Sequence, residues 1–320
     1  MSTDEKKINR LFLYWLFTSL TLVFSIIVVG GYTRLTGSGL SITEWELFSG
    51  LLPPLNNDSW NRYFDAYKKI PQYKLINFDM TLKEFKIIYY WEYAHRFLAR
   101  IIGLFFLIPL IYFYFTKKIN IKYIKICCLI FIMITIQGII GWYMVKSGLV
   151  NDVSVSHYRL SIHLASAVLI ISTIFWLFKN ASSKKNKNFF KFNLFNIPFL
   201  FLILIIFIQI IMGAFVSGLK AGQIYQTWPL MGNTYFPNDL IINNLSEILK
   251  FDSHSLVQFY HRNLAYLLII YSFLLTIHIY QNKILKLYRP LMIFLFILLL
   301  QIILGIYTLI SGLNIFLASM

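Results

Sequence analysis

Seven stretches of the chain run apolar for longer than a soluble core helix needs: 11–31, 87–115, 121–145, 155–178, 194–216, 255–280 and 291–310. Each is long enough to cross a hydrocarbon core of about 30 Å as a helix. None alternates apolar and polar residues at period two, which is the signature of membrane strands. The pattern therefore predicts an all-α polytopic membrane protein. Between the stretches lie short polar joints and two long segments, 32–86 and 218–254, rich in glycine, proline and aromatic residues. Their aromatic content argues against disorder, and they are expected to fold as caps over the helix ends.

Composition agrees with this. The 320 residues are 58% hydrophobic and 13% charged, against about 45–50% and 25% in soluble domains, and mean hydropathy is +0.67. An ordinary soluble enzyme, a coiled coil and a disordered chain are excluded. The formal charge of +16 invites a nucleic-acid reading until it is placed on the topology. Alternate joints, counting the N-terminus first, carry Lys6, Lys7 and Arg10, then Lys117, Lys118, Lys122 and Lys125. The next two carry Lys179, Lys184, Lys185, Lys187 and Lys191, then Lys283, Lys286 and Arg289. Asp4 and Glu5 are the only acids among them. That is the positive-inside pattern, with a cytoplasmic N-terminus, and no nucleic-acid partner is needed to explain it. Residues 1–10 have neither the cleavage site of a signal peptide nor the acid-poor, Arg-rich character of a transit peptide, so the first stretch reads as a retained helix. Cys127 and Cys128 are adjacent in an apolar run, which suits neither a disulfide framework nor a zinc site. They read as small buried apolar residues.

The chain repeats itself. His95-Arg96-Phe97-Leu98-Ala99 recurs as His261-Arg262-Asn263-Leu264-Ala265. Gln137, Gly141, Tyr143 and Ser147-Gly148-Leu149 recur 164 residues later as Gln301, Gly305, Tyr307 and Ser311-Gly312-Leu313. The fifth stretch has a related ending, Gln209, Gly213, Phe215 and Ser217-Gly218-Leu219. The unit is four helices, and both copies start on the same side, so the repeat is parallel rather than inverted. Two tandem four-helix bundles follow, over 1–180 and 181–320. The counterpart of the fourth helix would start near residue 319, so the second bundle is expected to hold three helices and to lack its eighth.

Three of the six histidines, His95, His163 and His261, lie about seven or eight residues into even-numbered helices, which is roughly 10–12 Å at 1.5 Å per residue. Ionisable groups at such depth are costly and usually functional. Two imidazoles at one level across a four-helix bundle are the ligand set of a bis-histidine haem. His157 and His254 lie at helix edges, and His278 reads as an end cap. Glu92, three residues before His95, shares its helix face. Two readings stay open for it: a proton-handling carboxylate in low dielectric, or an ion pair with Arg96. Arg96, Arg159 and Arg262 stand where they could meet haem propionates or snorkel to headgroups.

These residues resemble those of the haem A synthase family. The matching stretches are Gly30–Ser41 (GGYTRLTGSGLS), Glu92–Arg96 (EYAHR), Tyr158–Leu164 (YRLSIHL), Thr227–Met231 (TWPLM) and Val257–Arg262 (VQFYHR). They run from the first helix to the sixth. The resemblance implies two four-helix bundles, with haem O held as substrate between His95 and His163 and with Glu92 catalytically important. It implies a haem b cofactor on His261, with Arg262 beside it. The implied activity oxidises the C8 methyl of haem O to a formyl group by successive hydroxylations, giving haem A for terminal oxidases. No cysteine lies in 32–86, which matches the cysteine-free branch of proteobacteria and mitochondria. The bacterial inner membrane is the expected location, haem O synthase an expected partner, and self-association is left open. The shortened second bundle makes an inactive synthase a competing expectation. A dihaem b-type cytochrome in quinol-linked electron transfer would use the same histidines without needing Glu92. A transporter would favour charges at mid-membrane, which this chain lacks.

Overall fold

The computed structural model describes residues 9–44, 49–150, 152–183, 193–241 and 244–319. Its long helices are α1 (Arg10–Leu35), α4 (Leu82–Thr116), α5 (Ile121–Gly148), α6 (His157–Ser182), α7 (Ile197–Leu219), α9 (His254–Gln281) and α10 (Tyr288–Ile310). The shorter ones are α2 (Asn57–Tyr67), α3 (Pro71–Leu75), α8 (Leu245–Ile248) and α11 (Ile315–Ser319). The seven long helices match the seven apolar stretches, and each is long and apolar enough to cross a membrane. Caps set their starts. Asn9, Asn120 and Ser253 accept backbone N–H bonds at the heads of α1, α5 and α9, and Thr81 forms a reciprocal capping box with Glu84 at the head of α4, satisfying donors that a helix start leaves unpaired.

The chain divides into two compact units, Met1–Asn188 and Phe189–Met320. In the first, α1 packs against α4 and α6, and α5 packs against the same two. The four helices form a closed ring in the order α1, α4, α5, α6, so α4 and α6 face each other across the bundle. One end of this bundle is a dense apolar floor built on Phe12, Trp15, Phe106, Phe113, Ile130, Ile174 and Leu177. Cys127 lies in that floor, as expected, but Cys128 is exposed. Neighbouring helix positions point about 100° apart, and here that turn carries Cys128 off the face that buries Cys127.

Pro109 sits inside α4 and has no N–H to give the carbonyl of Phe105 four residues earlier. The indole N–H of Trp15 on α1 donates to that carbonyl at 3.1 Å, so a defect in one helix becomes a bond to its neighbour. Trp15→Phe keeps most of the packing and leaves the carbonyl unpaired. It should cost about 1–3 kcal/mol, read as a lowered Tm in detergent, with little loss in a Trp15→Phe, Pro109→Ala pair.

The segment before α4 does fold as a cap. Trp60, Phe64, Tyr67 and Ile70 from α2 and its C-terminal turn pack on Phe85, Ile88 and Tyr89 of α4 together with Leu40 and Ile42. The Tyr67 hydroxyl donates to Gln72 Oε1 at 3.0 Å and accepts from Asn77 Nδ2 at 2.8 Å. Gln72 Nε2 in turn donates to the Gly37 carbonyl at 3.0 Å. Gly37 has φ +66°, which suits glycine. Burial raises the Tyr67 phenol above its ordinary value, and the Asn77 hydrogen bond opposes this more weakly. A raised acid favours the folded state below the ordinary phenol value of about 10 and loses that contribution as pH rises further. Difference titration of the chain against Tyr67→Phe should show the missing phenol ionising above that value.

In the second unit, α7 and α9 pack along their length, with Met212, Phe215 and Val257 buried between them. Leu291 at the start of α10 meets Leu275 and Ile279 of α9. Beyond that contact α10 leaves Met292, Phe296, Ile297, Leu299 and Tyr307 exposed, a surface suited to an apolar surrounding rather than to water.

Candidate functional site

In the first unit the buried apolar residues fall into two sets, the floor and the cap, and His95 and His163 lie at the level between them. His95 comes from α4 and His163 from the facing helix α6. Their ring centroids are 6.4 Å apart and their planes are inclined by 72°. Two imidazoles binding one metal at about 2 Å each would place their centroids about 6 Å apart, close to the separation seen. The Nδ1 atoms of His95, His163 and His261 are all buried without a hydrogen-bond partner among the described residues. A buried polar atom left unpaired is expensive unless a ligand completes it. Among the described residues no group of three or more His, Cys, Asp or Glu is gathered for a bare metal ion. A haem iron takes four ligands from the porphyrin and needs at most two from the protein, so the histidine pair suits haem.

Glu92 lies one turn before His95 and is buried. Its Oε1 accepts from Arg96 Nε at 3.0 Å and from Nη2 at 2.6 Å. Its Oε2 accepts from Ser41 Oγ at 2.7 Å and from the backbone N–H of Ile42 at 2.9 Å. Arg96 Nη2 also donates to the Ile42 carbonyl at 2.9 Å. Of the two readings open from sequence, the structure therefore contains the ion pair with Arg96, extended by a contact the sequence did not suggest. The pair pins the segment that leaves α1 onto α4 beside the histidines. Arg159 Nη1 donates to Ser147 Oγ at 2.5 Å.

The second unit repeats the arrangement around His261. Arg262 donates to the loop carbonyls of Tyr225 at 3.0 Å and Leu230 at 3.2 Å, as Arg96 does to Ile42. Its Nε stays buried and without a hydrogen-bond partner among the described residues, which leaves one donor for a ligand. Gln258 Nε2 adds a bond to the Tyr225 carbonyl at 2.7 Å. Asp239 anchors this loop to the head of α9, accepting from Tyr225 Oη and Ser255 Oγ at 2.6 Å each. Burial pushes the Asp239 carboxyl up, but the bonds from Ser255 and Tyr225 together outweigh it and hold it below the ordinary carboxylate value. His254 is the exposed first residue of α9, and His278 lies in its last turn, bonded to Asn282. His157 opens α6.

The profile of the COX15-CtaA family, described as cytochrome oxidase assembly protein, matches residues 13–320. The chain belongs to this family. It is 47% identical over 306 residues to the heme A synthase of Pelagibacter ubique, covering 96% of this chain and 90% of that one. It is 43% identical over 326 residues to the heme A synthase of Rickettsia bellii, covering 99% and 93%. The heme A synthase of Flavobacterium psychrophilum is 43% identical over 264 residues, covering 81% and 77%. With seven apolar helices of spanning length, this member of the COX15-CtaA family is a multi-pass membrane protein.

Two site features escaped the reading of the sequence. Gln137 Nε2 donates to the His163 carbonyl at 2.8 Å, and Gln209 Nε2 donates to the His261 carbonyl at 3.2 Å. Ser166 Oγ also bonds the His163 carbonyl, at 3.1 Å, and Gln137 Oε1. Both glutamines stood out in the internal repeat, but their spacing alone does not say which helix they face.

Proposed function

We propose that this chain is a haem A synthase, which oxidises the C8 methyl of haem O to a formyl group. The observation that carries the reading is the His95–His163 pair, 6.4 Å apart on facing helices with buried, unpartnered Nδ1 atoms, in a chain 47% identical to a heme A synthase. Residues 1–180 form the substrate bundle, and residues 181–320 the bundle that carries haem b. His95 and His163 hold the substrate iron, and their spacing limits how far it can move along the bundle. The floor of Phe106, Phe113 and Ile174 excludes water from one side, and the cap over α4 covers the other. Glu92 is the site's fixed negative charge and its candidate base. Arg96 orients it, and its two oxygens accept from four donors that fix its position. In the second unit His261 and the free Nε of Arg262 would hold haem b. That group, when bound, supplies a redox-active iron that the side chains do not provide. The N-terminus is cytoplasmic and the membrane is the bacterial inner membrane, a reading supported by the Lys and Arg distribution.

The test is extraction and mass-resolved chromatography of haem from the 320-residue chain, purified after co-expression with a haem O synthase. Haem A in the extract is expected. Haem O alone, or no haem, would overturn the reading for this chain.

A further inference from the structure

The three histidines with buried Nδ1 atoms share a feature of the helix behind them. A Cβ built on Gly30 of α1 would lie 3.0 Å from His95 Cε1. One on Gly141 of α5 would lie 3.0 Å from His163 Cε1, and one on Gly213 of α7 would lie 3.3 Å from His261 Cε1. In each case the imidazole edge rests on bare backbone of the long helix that precedes its own, closer than a Cβ would ordinarily allow. Two of these glycines stand four residues after Gln137 and Gln209, the same residues whose amides bond the backbone carbonyls of His163 and His261. Residues four apart share a helix face, so one face supplies both contacts. α1 has Ile26 at the corresponding position, with no side-chain amide to offer, and it is the Ile26 backbone that hydrogen-bonds His95. Gly31, Gly103, Gly138 and Gly305 have nothing within 4 Å of a built Cβ, while Gly148 closely meets Leu40 at 3.2 Å and Gly222 meets Leu313 at 2.9 Å. Close approach therefore occurs elsewhere, but Gly30, Gly141 and Gly213 are the three that back an imidazole.

We propose that Gly30, Gln137 with Gly141, and Gln209 with Gly213 are positioning residues. They set the rotation of the imidazole planes and the height of the ligand histidines. The proposal rests on the reading of His95, His163 and His261 as haem ligands. The ring edge against a glycine backbone leaves the imidazole little freedom to turn about its last side-chain bond. The amide on the carbonyl fixes the helix carrying it. Outer partners of this kind orient metal-binding histidines, and removing them typically lowers metal affinity about 10–100-fold.

Low-temperature electron paramagnetic resonance of the oxidised, haem-loaded chain tests this directly. The g-values of a low-spin bis-histidine haem depend on the angle between the imidazole planes, here 72° in the first unit. Gly141→Ala should shift the signal, and in both Gly141→Ala and Gly213→Ala haem retained through purification should fall about 10-fold or more. Gln137→Leu, which keeps the size and loses the donor, should shift the signal in the same direction as Gly141→Ala. Gly138→Ala, on the same helix as Gly141, and Gly103→Ala should match the unaltered chain. Identical spectra and haem content across all five variants would overturn the proposal. So would a lowered Tm in Gly141→Ala with an unchanged haem signal, which would assign the glycine to packing alone. If the unaltered chain bound no haem, the functional reading itself would fall. The Tm of the haem-free chain would then judge the contact, and equal values for Gly141→Ala and Gly138→Ala would overturn that as well.

Discussion

His163→Ala should abolish haem A formation and leave the first unit without bound haem O, while the protein stays folded. The imidazole is one of two on facing helices, and neither neighbouring element offers a replacement ligand at that level. Its loss removes a bond to the metal itself, so it should exceed the roughly 10–100-fold cost of altering an outer partner. The fold should survive, because the floor of the bundle is built from other residues and the cap packs on α4 through Phe85, Ile88 and Tyr89. His95→Ala should behave alike. His278→Ala is the control: that ring lies in the last turn of α9 against Asn282, and haem content should not change. Haem extraction and circular dichroism on the three variants decide it. Normal haem A from His163→Ala would remove the histidine pair from the site.

The second large effect is at Glu92, where two consequences of one substitution must be separated. Glu92→Ala removes the side-chain acceptor of the Ile42 N–H and one acceptor each of Ser41 Oγ, Arg96 Nε and Arg96 Nη2, and takes the carboxylate from beside a largely buried guanidinium. Breaking a buried pair from one side costs about 3–5 kcal/mol, so the alanine variant should lose stability as well as activity. Glu92→Gln keeps the shape and one acceptor oxygen, removes the charge, and should cost less. If Glu92 handles a proton during oxidation, the glutamine variant should retain haem O and make no haem A, at a Tm near that of the unaltered chain. If it serves only to pin the segment after α1, haem A yield should follow Tm across the alanine, glutamine and aspartate variants. The outcome we expect is the first. Haem A in proportion to folded protein would leave Glu92 as an anchor for Arg96 and Ile42.

The eleven acids outside the N-terminal joint were legible as lying on one side of the topology, and Glu92 stood out among them by its place on the helix of His95, but not by all of its partners. Proximity to His95 follows from its i−3 spacing, and an Arg96 pair from its i+4 spacing. The contacts to Ser41 and Ile42 span 50 residues or more, and no periodicity reports them. Arg262 shows the same limit. Its place beside His261 could be read, whereas its use in holding the Tyr225 and Leu230 carbonyls could not.

The division between sequence and tertiary structure follows from the forces involved. Burial in an apolar phase is non-directional and adds along the chain, so the seven helices, their lengths and the shared depth of His95, His163 and His261 can be counted residue by residue. The offset of 164–166 residues between copies is likewise a property of the string. Hydrogen bonds and close contacts are directional and pairwise, and they depend on which helices become neighbours. The ring order α1, α4, α5, α6 decided that Trp15 would answer the carbonyl freed by Pro109, and that Gly30 and Gly141 would each back a histidine. It also set His95 and His163 face to face. The string records which residues can afford to be buried; only the packed bundle decides what each of them touches.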